Sequence, residues 1–346
     1  MMAIKSVSRW VTGILWMSLL LAWPFGAATA ADKPEQVRIA LMYSVGPEGV
    51  WDKLVQETLD KLAGDKPHGL SIEYDEQDAV YGEQAESVMR LLAKSGKYDI
   101  ILSASAHSDQ IKNLQSVYPE IMWVSLGSGN YNAGENHYLV YARLHEAAYL
   151  LGILAAGISK TGVIGAVGSF PADDINDQLH AFRAGARTVN PDVKMKLTFI
   201  ESWYDPPKAI EATYAQAAAG ADVVYQMAGE VFEACEVKQI YCLSKYKDTS
   251  SMAPDVVLSG TQLHWEPGLR WILDEWYTHK TTGQPFAGNE EPVWFSMAEG
   301  GSDISPYHGL ADMVPDELKK RVADARAAIV SGALEVPVII DVPKPD

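Results

Sequence analysis

Trp51-Asp52, Ser108-Asp109, Ser169-Phe170, Trp203-Tyr204-Asp205, Met227, Asp248 and His264-Trp265 share one placement: each follows a short β-rich run. Aromatic side chains mixed with a few aspartates suit a flat, uncharged, hydrogen-bonding guest. The π faces sandwich a ring, and carboxylates accept its N–H or O–H protons. Trp203 and Tyr204 are the most telling pair, because a strand-ending loop is ordinarily polar and these two large rings read as the wall of a cleft. The candidate set is Trp51, Asp52, Asp109, Phe170, Trp203, Tyr204, Met227, Asp248 and Trp265.

Each of these residues also has a structural reading. Trp51 opens an amphipathic stretch and suits core packing as well as stacking. Asp52, Asp109 and Asp205 stand where N-caps commonly satisfy orphan amides, and Pro206 favours that role for Asp205. Phe170 could cover a strand end, and Met227 could fill a core gap. Catalytic constellations are poorer matches. The 8 histidines are scattered, and no serine has the nucleophile-elbow pattern. "GAVGSF" lacks the Lys-Ser/Thr of a phosphate loop and the full glycine spacing of a dinucleotide fingerprint. Asp173-Asp174 and Glu290-Glu291 read as solvated turn carboxylates. No enzyme activity, cofactor or metal site is expected.

The elements that must position these residues alternate regularly. "VRIALMYS" precedes "VWDKLVQETLDKLAG", "LSIEYDEQ" precedes "GEQAESVMRLLAKSG", and "YDIILSAS" precedes "HSDQIKNLQSVYP". After the helical "EAAYLLGILAAGIS" a second cycle starts with "GVIGAVGS", "VKMKLTFIES" and "ADVVYQMA", each followed by a helical run. Strands joined by crossovers of this length imply parallel sheets with helices on both faces, here as two α/β lobes in tandem. In such sheets ligands collect outside the carboxyl ends of the strands, where the candidate residues lie. No Gly/Ser-rich or Pro-rich linker separates the halves. The lobes are therefore expected to be joined by short crossing segments that permit a hinge.

Length and composition fit this reading: 346 residues, 48% hydrophobic and 21% charged, are enough for two cores. Residues 1–30 differ from the rest. Lys5 and Arg9 precede the apolar "WVTGILWMSLLLAW", and Ala28-Thr29-Ala30 supplies small cleavage-site residues, so a secretory signal peptide is expected. Its removal takes the formal charge from -17 to -19, since it carries two cations and no acid. A field of that sign repels nucleic acid and anionic lipid and suits a solvated periplasmic or extracellular protein. Only Cys235 and Cys242 are present, so after export they either bridge or stay as two buried thiols.

The segments "AGARTVNPDVK", "SWYDPPKA" and "GADVV" together resemble the basic membrane protein family of substrate-binding proteins for ABC importers, a likeness running from about Val37 to the C-terminus. The resemblance implies a type I periplasmic-binding fold: two Rossmann-like lobes with parallel sheets, a hinge and an interlobe cleft. One lobe would comprise residues 37–140 plus about 258–298, the other residues 141–257 plus about 299–346. It also implies a small purine-like ligand, a base or nucleoside, with "SFP", "SWYDPPK" and the "HW" of His264-Trp265 most like the branch associated with free purine bases such as adenine, and an ABC permease in the membrane as partner. A membrane receptor kinase reading the same closure is the alternative. Carried over by position, Trp51 matches a stacking aromatic, Asp52 a polar neighbour, Asp109 an aspartate bonding the base, and Asp248 the last acid of an Asp-Ser-Asp motif. Tyr246-Lys247-Asp248 departs from that motif, and the lysine of nucleoside binders is replaced around Leu263 and His264, which argues against ribose recognition.

Overall fold

The computed structural model describes residues 33–346, and the expected signal peptide lies outside the described residues. The chain begins β1 (Gln36–Met42), α1 (Val50–Asp65), β2 (Ser71–Gln77), α2 (Gly82–Lys94), β3 (Ile100–Ser103), α3 (Ser108–Lys112), β4 (Met122–Leu126) and β5 (His137–Ala142). It continues with α4 (Leu144–Ile158), β6 (Val163–Gly168), α5 (Asp173–Val189), β7 (Lys194–Phe199), α6 (Pro206–Ala218), β8 (Val223–Gln226), α7 (Glu233–Lys238), β9 (Tyr241–Ser244) and β10 (Val257–Leu263). Last come α8 (Glu266–Thr282), β11 (Val293–Phe295), β12 (Ser302–Ile304) and α9 (Asp316–Val330).

Two sheets result. The first has the order β11-β5-β4-β3-β1-β2 and is parallel throughout. The second has the order β12-β10-β9-β8-β6-β7 and is parallel except for β12 at its edge. Helices cover both faces, so the central strands read as continuous apolar runs instead of alternating ones. "MWVSL" of β4 and "HYLVYA" of β5 are buried at every position.

The chain passes between the lobes after Ala142, after Leu263 and after Phe295. One expected boundary changes. The stretch from about 258 was assigned to the first lobe, but β10 pairs with β9 and β12 and so belongs to the second sheet. The return to the first lobe comes at α8, where Trp265, Leu269, Ile272, Leu273 and Trp276 join the core beneath β1 and β5. Hydrogen-bond pairing decides the matter: an apolar strand such as "VLSGTQL" reads the same in either sheet.

Helix α4 is buried almost all round and packs on α5 with no side chain between the backbones at two places. A Cβ on Gly152 would lie 1.9 Å from the Phe182 carbonyl oxygen, and one on Gly185 would lie 2.0 Å from that of Tyr149. Cys235 and Cys242 form a disulfide with Cα atoms 6.1 Å apart, which ties α7 to β9. No helix among the described residues is long and apolar enough to cross a membrane.

The close approach of α4 and α5 makes Gly152→Ala a severe substitution. The added methyl must push two helices apart, costing more than about 3 kcal/mol, at the upper end of overpacking penalties. Denaturant unfolding should show the loss, whereas Gly64→Ala, where an added Cβ meets nothing within 4 Å, should leave the midpoint nearly unchanged.

Candidate functional site

The carboxyl ends of the parallel strands in both sheets open onto one cavity of about 630 Å³ between the lobes. The first lobe contributes the loop after β1 with the start of α1, Tyr81 beyond β2, Ala104–Ala106 after β3, and Leu126–Gly129 after β4. The second contributes Ser169 after β6, the first turn of α5, Trp203 and Tyr204 after β7, Gln226 at the end of β8 with Met227, Gly229, Glu230 and Phe232 beyond it, and Lys245-Tyr246 after β9.

Four of the nine expected residues line this cavity: Trp51, Trp203, Tyr204 and Met227. Trp51 is fixed from behind. Its indole N–H donates to the Ala104 carbonyl at 3.0 Å, and its ring packs edge-on against Trp265 at 4.8 Å and Tyr246 at 5.4 Å between centroids. Gly127, at φ +93°, lets the β4 turn lie against the same indole, where a Cβ would come within 3.1 Å of it. Trp203 and Tyr204 stand at the opposite wall and are 48% and 65% exposed, as befits rings facing an open cleft. Met227 is almost wholly buried where β8 ends.

The other five stand away from the cavity wall. Trp265 is buried behind Trp51, and Phe170 sits 5.1 Å from Trp203, so each backs a cleft indole. Asp52 is fully buried and faces the loop after β1. Its carboxylate accepts from the backbone N–H groups of Ser44 at 2.9 Å, Val45 at 2.8 Å and Gly46 at 2.9 Å, and from the Ser44 hydroxyl at 3.1 Å. It therefore shapes the loop that carries Ser44, Val45 and Glu48 to the cleft. Asp109 is exposed and accepts from the Tyr131 hydroxyl at 2.6 Å. Asp248 accepts from the Ser250 backbone N–H at 3.0 Å and faces His308 at 2.6 Å.

The polar end of the cleft comes from residues that strand-end reading passed over. Asp174 was expected to be a solvated turn carboxylate, but it lies in the first turn of α5, is 7% exposed and lines the cavity. Burial raises its pKa, while Lys245 and the Ser128 hydroxyl pull the other way. Glu230 is raised by burial as well. Lys245 is drawn down to about 8 by burial, with Asp174, Asp177 and Glu230 opposing. Its neighbour Tyr246 has a φ of +70°, rare for a bulky residue. That turn is held by its N–H to the Thr261 hydroxyl and its carbonyl from the Leu263 N–H. The signal for Asp174 was its position just past "SFPAD", at a helix start following a strand. Lys245 had a comparable one, directly after "IYCLS".

Two parallel-stranded lobes, three crossings and a cleft at the strand ends define a type I periplasmic-binding fold, the architecture of solute-binding proteins. Residues 46–338 match the family of ABC transporter substrate-binding proteins described as PnrA-like, and the chain belongs to that family. A purine-binding protein of Brucella abortus is 25% identical over 317 residues, covering 88% of this chain and 84% of that protein. An ABC transporter nucleoside-binding protein of Lactococcus lactis is 29% identical over 214 residues, 56% of this chain and 58% of its own length. Among solved structures, an ABC transporter solute-binding protein of Aeropyrum pernix superposes with a TM-score of 0.71 at 18% identity. It covers 88% of this chain and 94% of that one. The family's members bind solutes outside the cytoplasm and work with a membrane permease.

Asp52→Ala should lower stability by roughly 2–4 kcal/mol, because three backbone N–H groups lose a charged acceptor at once. Asp52→Asn should recover about half of that in urea unfolding, since the amide oxygen still accepts.

Proposed function

We propose that this protein is the periplasmic receptor of an ABC importer. In this reading it captures a purine base, or a closely similar heteroaromatic, between Trp51 of one lobe and Trp203 with Tyr204 of the other. The carrying observation is that aromatic faces from both lobes, the buried carboxylate Asp174 and the half-buried Glu230 line one cavity. A planar ring with N–H groups satisfies both kinds of surface, because π stacking takes its faces and the carboxylates take its edge. The names of the Brucella and Lactococcus relatives support that ligand class. The expected export signal supports the location.

The chemistry needed is capture and release, with the ligand returned unchanged. A guest touching both walls stabilises the arrangement in which the walls face each other, and this differential contact lets the bound form be distinguished by a permease. Met227 adds a soft apolar contact between the second wall and the floor.

Calorimetry and tryptophan fluorescence test the reading together. A purine base should bind saturably and quench fluorescence, and Trp203→Ala should weaken binding by about 1–3 kcal/mol, the usual cost of losing one base stack. Asp109→Ala should leave affinity within about twofold, since the carboxylate serves Tyr131 outside the cavity wall. Absence of heat with every purine base and nucleoside would remove the ligand assignment.

A further inference from the structure

We propose that Lys245 selects the ligand through a ring carbonyl, so that the preferred guest is an oxopurine and not an aminopurine such as adenine. The inference rests on the purine reading above and names the chemistry of its polar end.

Lysine is seldom buried without an anionic partner. Lys245 is 8% exposed and lines the cavity, yet among the described residues it makes no ion pair within 4.0 Å. Its ammonium stands 4.0 Å from the Tyr246 ring centroid, a cation–π contact that leaves its N–H bonds without an oxygen acceptor. The left-handed turn at Tyr246 holds the pair at the cleft, anchored by Thr261 and Leu263. Asp174 and Glu230 line the same cavity and are near enough to influence the lysine charge.

A donor-only ammonium beside acceptor-only carboxylates is complementary to an edge that offers an acceptor next to a donor. The lactam of an oxopurine provides this on adjacent atoms: its carbonyl oxygen has two lone pairs for the ammonium, and its ring N–H points to a carboxylate. Adenine also presents a donor beside an acceptor, its amino group next to N1, but its acceptor is a ring nitrogen with one lone pair, where the oxopurine offers Lys245 a carbonyl oxygen with two. A ligand bearing a full negative charge is disfavoured, because Glu48, Asp173, Asp174 and Glu230 all line the cavity.

The test is calorimetric titration of the full mature protein with hypoxanthine, guanine and adenine, followed by the same titrations on Lys245→Met. Hypoxanthine or guanine should bind about tenfold tighter than adenine to the unaltered protein, the low end of the range for one hydrogen bond to a charged group, since adenine keeps a ring-nitrogen acceptor. In Lys245→Met the preference should shrink to within about threefold. The unaltered protein decides the first point even where the variant fails to fold. Adenine binding as tightly as the oxopurines overturns the inference and leaves the purine reading standing, as does a preference that survives in Lys245→Met. Failure of all three bases to bind overturns both.

Discussion

The contact between α4 and α5 is the constraint on which the rest of the second lobe depends. Two glycines, Gly152 and Gly185, bring the helix backbones together where any side chain would collide with a carbonyl oxygen. Because α4 is also the first segment to enter the second lobe from β5, this contact fixes how α5 lies against the opening helix of that lobe. The N-terminal turn of α5 then points at the cleft and carries Asp173 and Asp174 to it. Close backbone packing of this kind tolerates little adjustment, since a packed interior transmits displacement instead of absorbing it. A polar group that must meet a ligand edge within a fraction of an ångström benefits from such a mount.

The opposite wall is held by different physics. Trp51 is positioned by four neighbours: the Ala104 carbonyl takes its N–H, Trp265 and Tyr246 pack edge-to-face with it, and Gly127 lies against its ring. Such an indole loses little conformational freedom when a ligand arrives, because that freedom is already gone. Trp203 and Tyr204 have only partial support, with Phe170 against Trp203, and remain broadly exposed. One wall is therefore rigid and the other adaptable, which suits a cleft that must admit a guest before enclosing it.

Much of the architecture was legible because it rests on periodicity. Strand-helix alternation is a local pattern, and "VRIALMYS" followed by "VWDKLVQETLDKLAG" carries it without any tertiary information. Long-range pairing was not legible. The sheet to which β10 belongs depends on which edge is free beside β9, and the apolar run has no mark of that. The site showed a similar division. Strand ends identified the cleft, but could not separate the inner layer from the layer behind it: Trp51 and Trp265 are both indoles at strand ends, and only packing makes one the wall and the other its backing. Asp52 and Asp174 exchange their expected parts for a similar reason. Both are first-turn aspartates of a helix, but the loop after β1 curls back over Asp52, whereas the turn before α5 leaves Asp174 facing the cavity.

One polar tie between the lobes near the cleft is an exposed ion pair. Lys247 reaches Glu57 of α1 at 3.0 Å, with both side chains more than two-fifths exposed. A pair so well solvated contributes at most about 1 kcal/mol and is screened by salt. Packing of Tyr246 on Trp51, edge to face with centroids 5.4 Å apart, adds an apolar contact beside the cavity. Four carboxylates and a lysine line the space between the lobes, and closing it without water would strip their hydration. Their desolvation is offset only when something in the cleft supplies hydrogen bonds in place of water. A ligand that meets both walls and the polar end therefore does more than occupy a preformed space, because it supplies the interactions that make a closed cleft favourable.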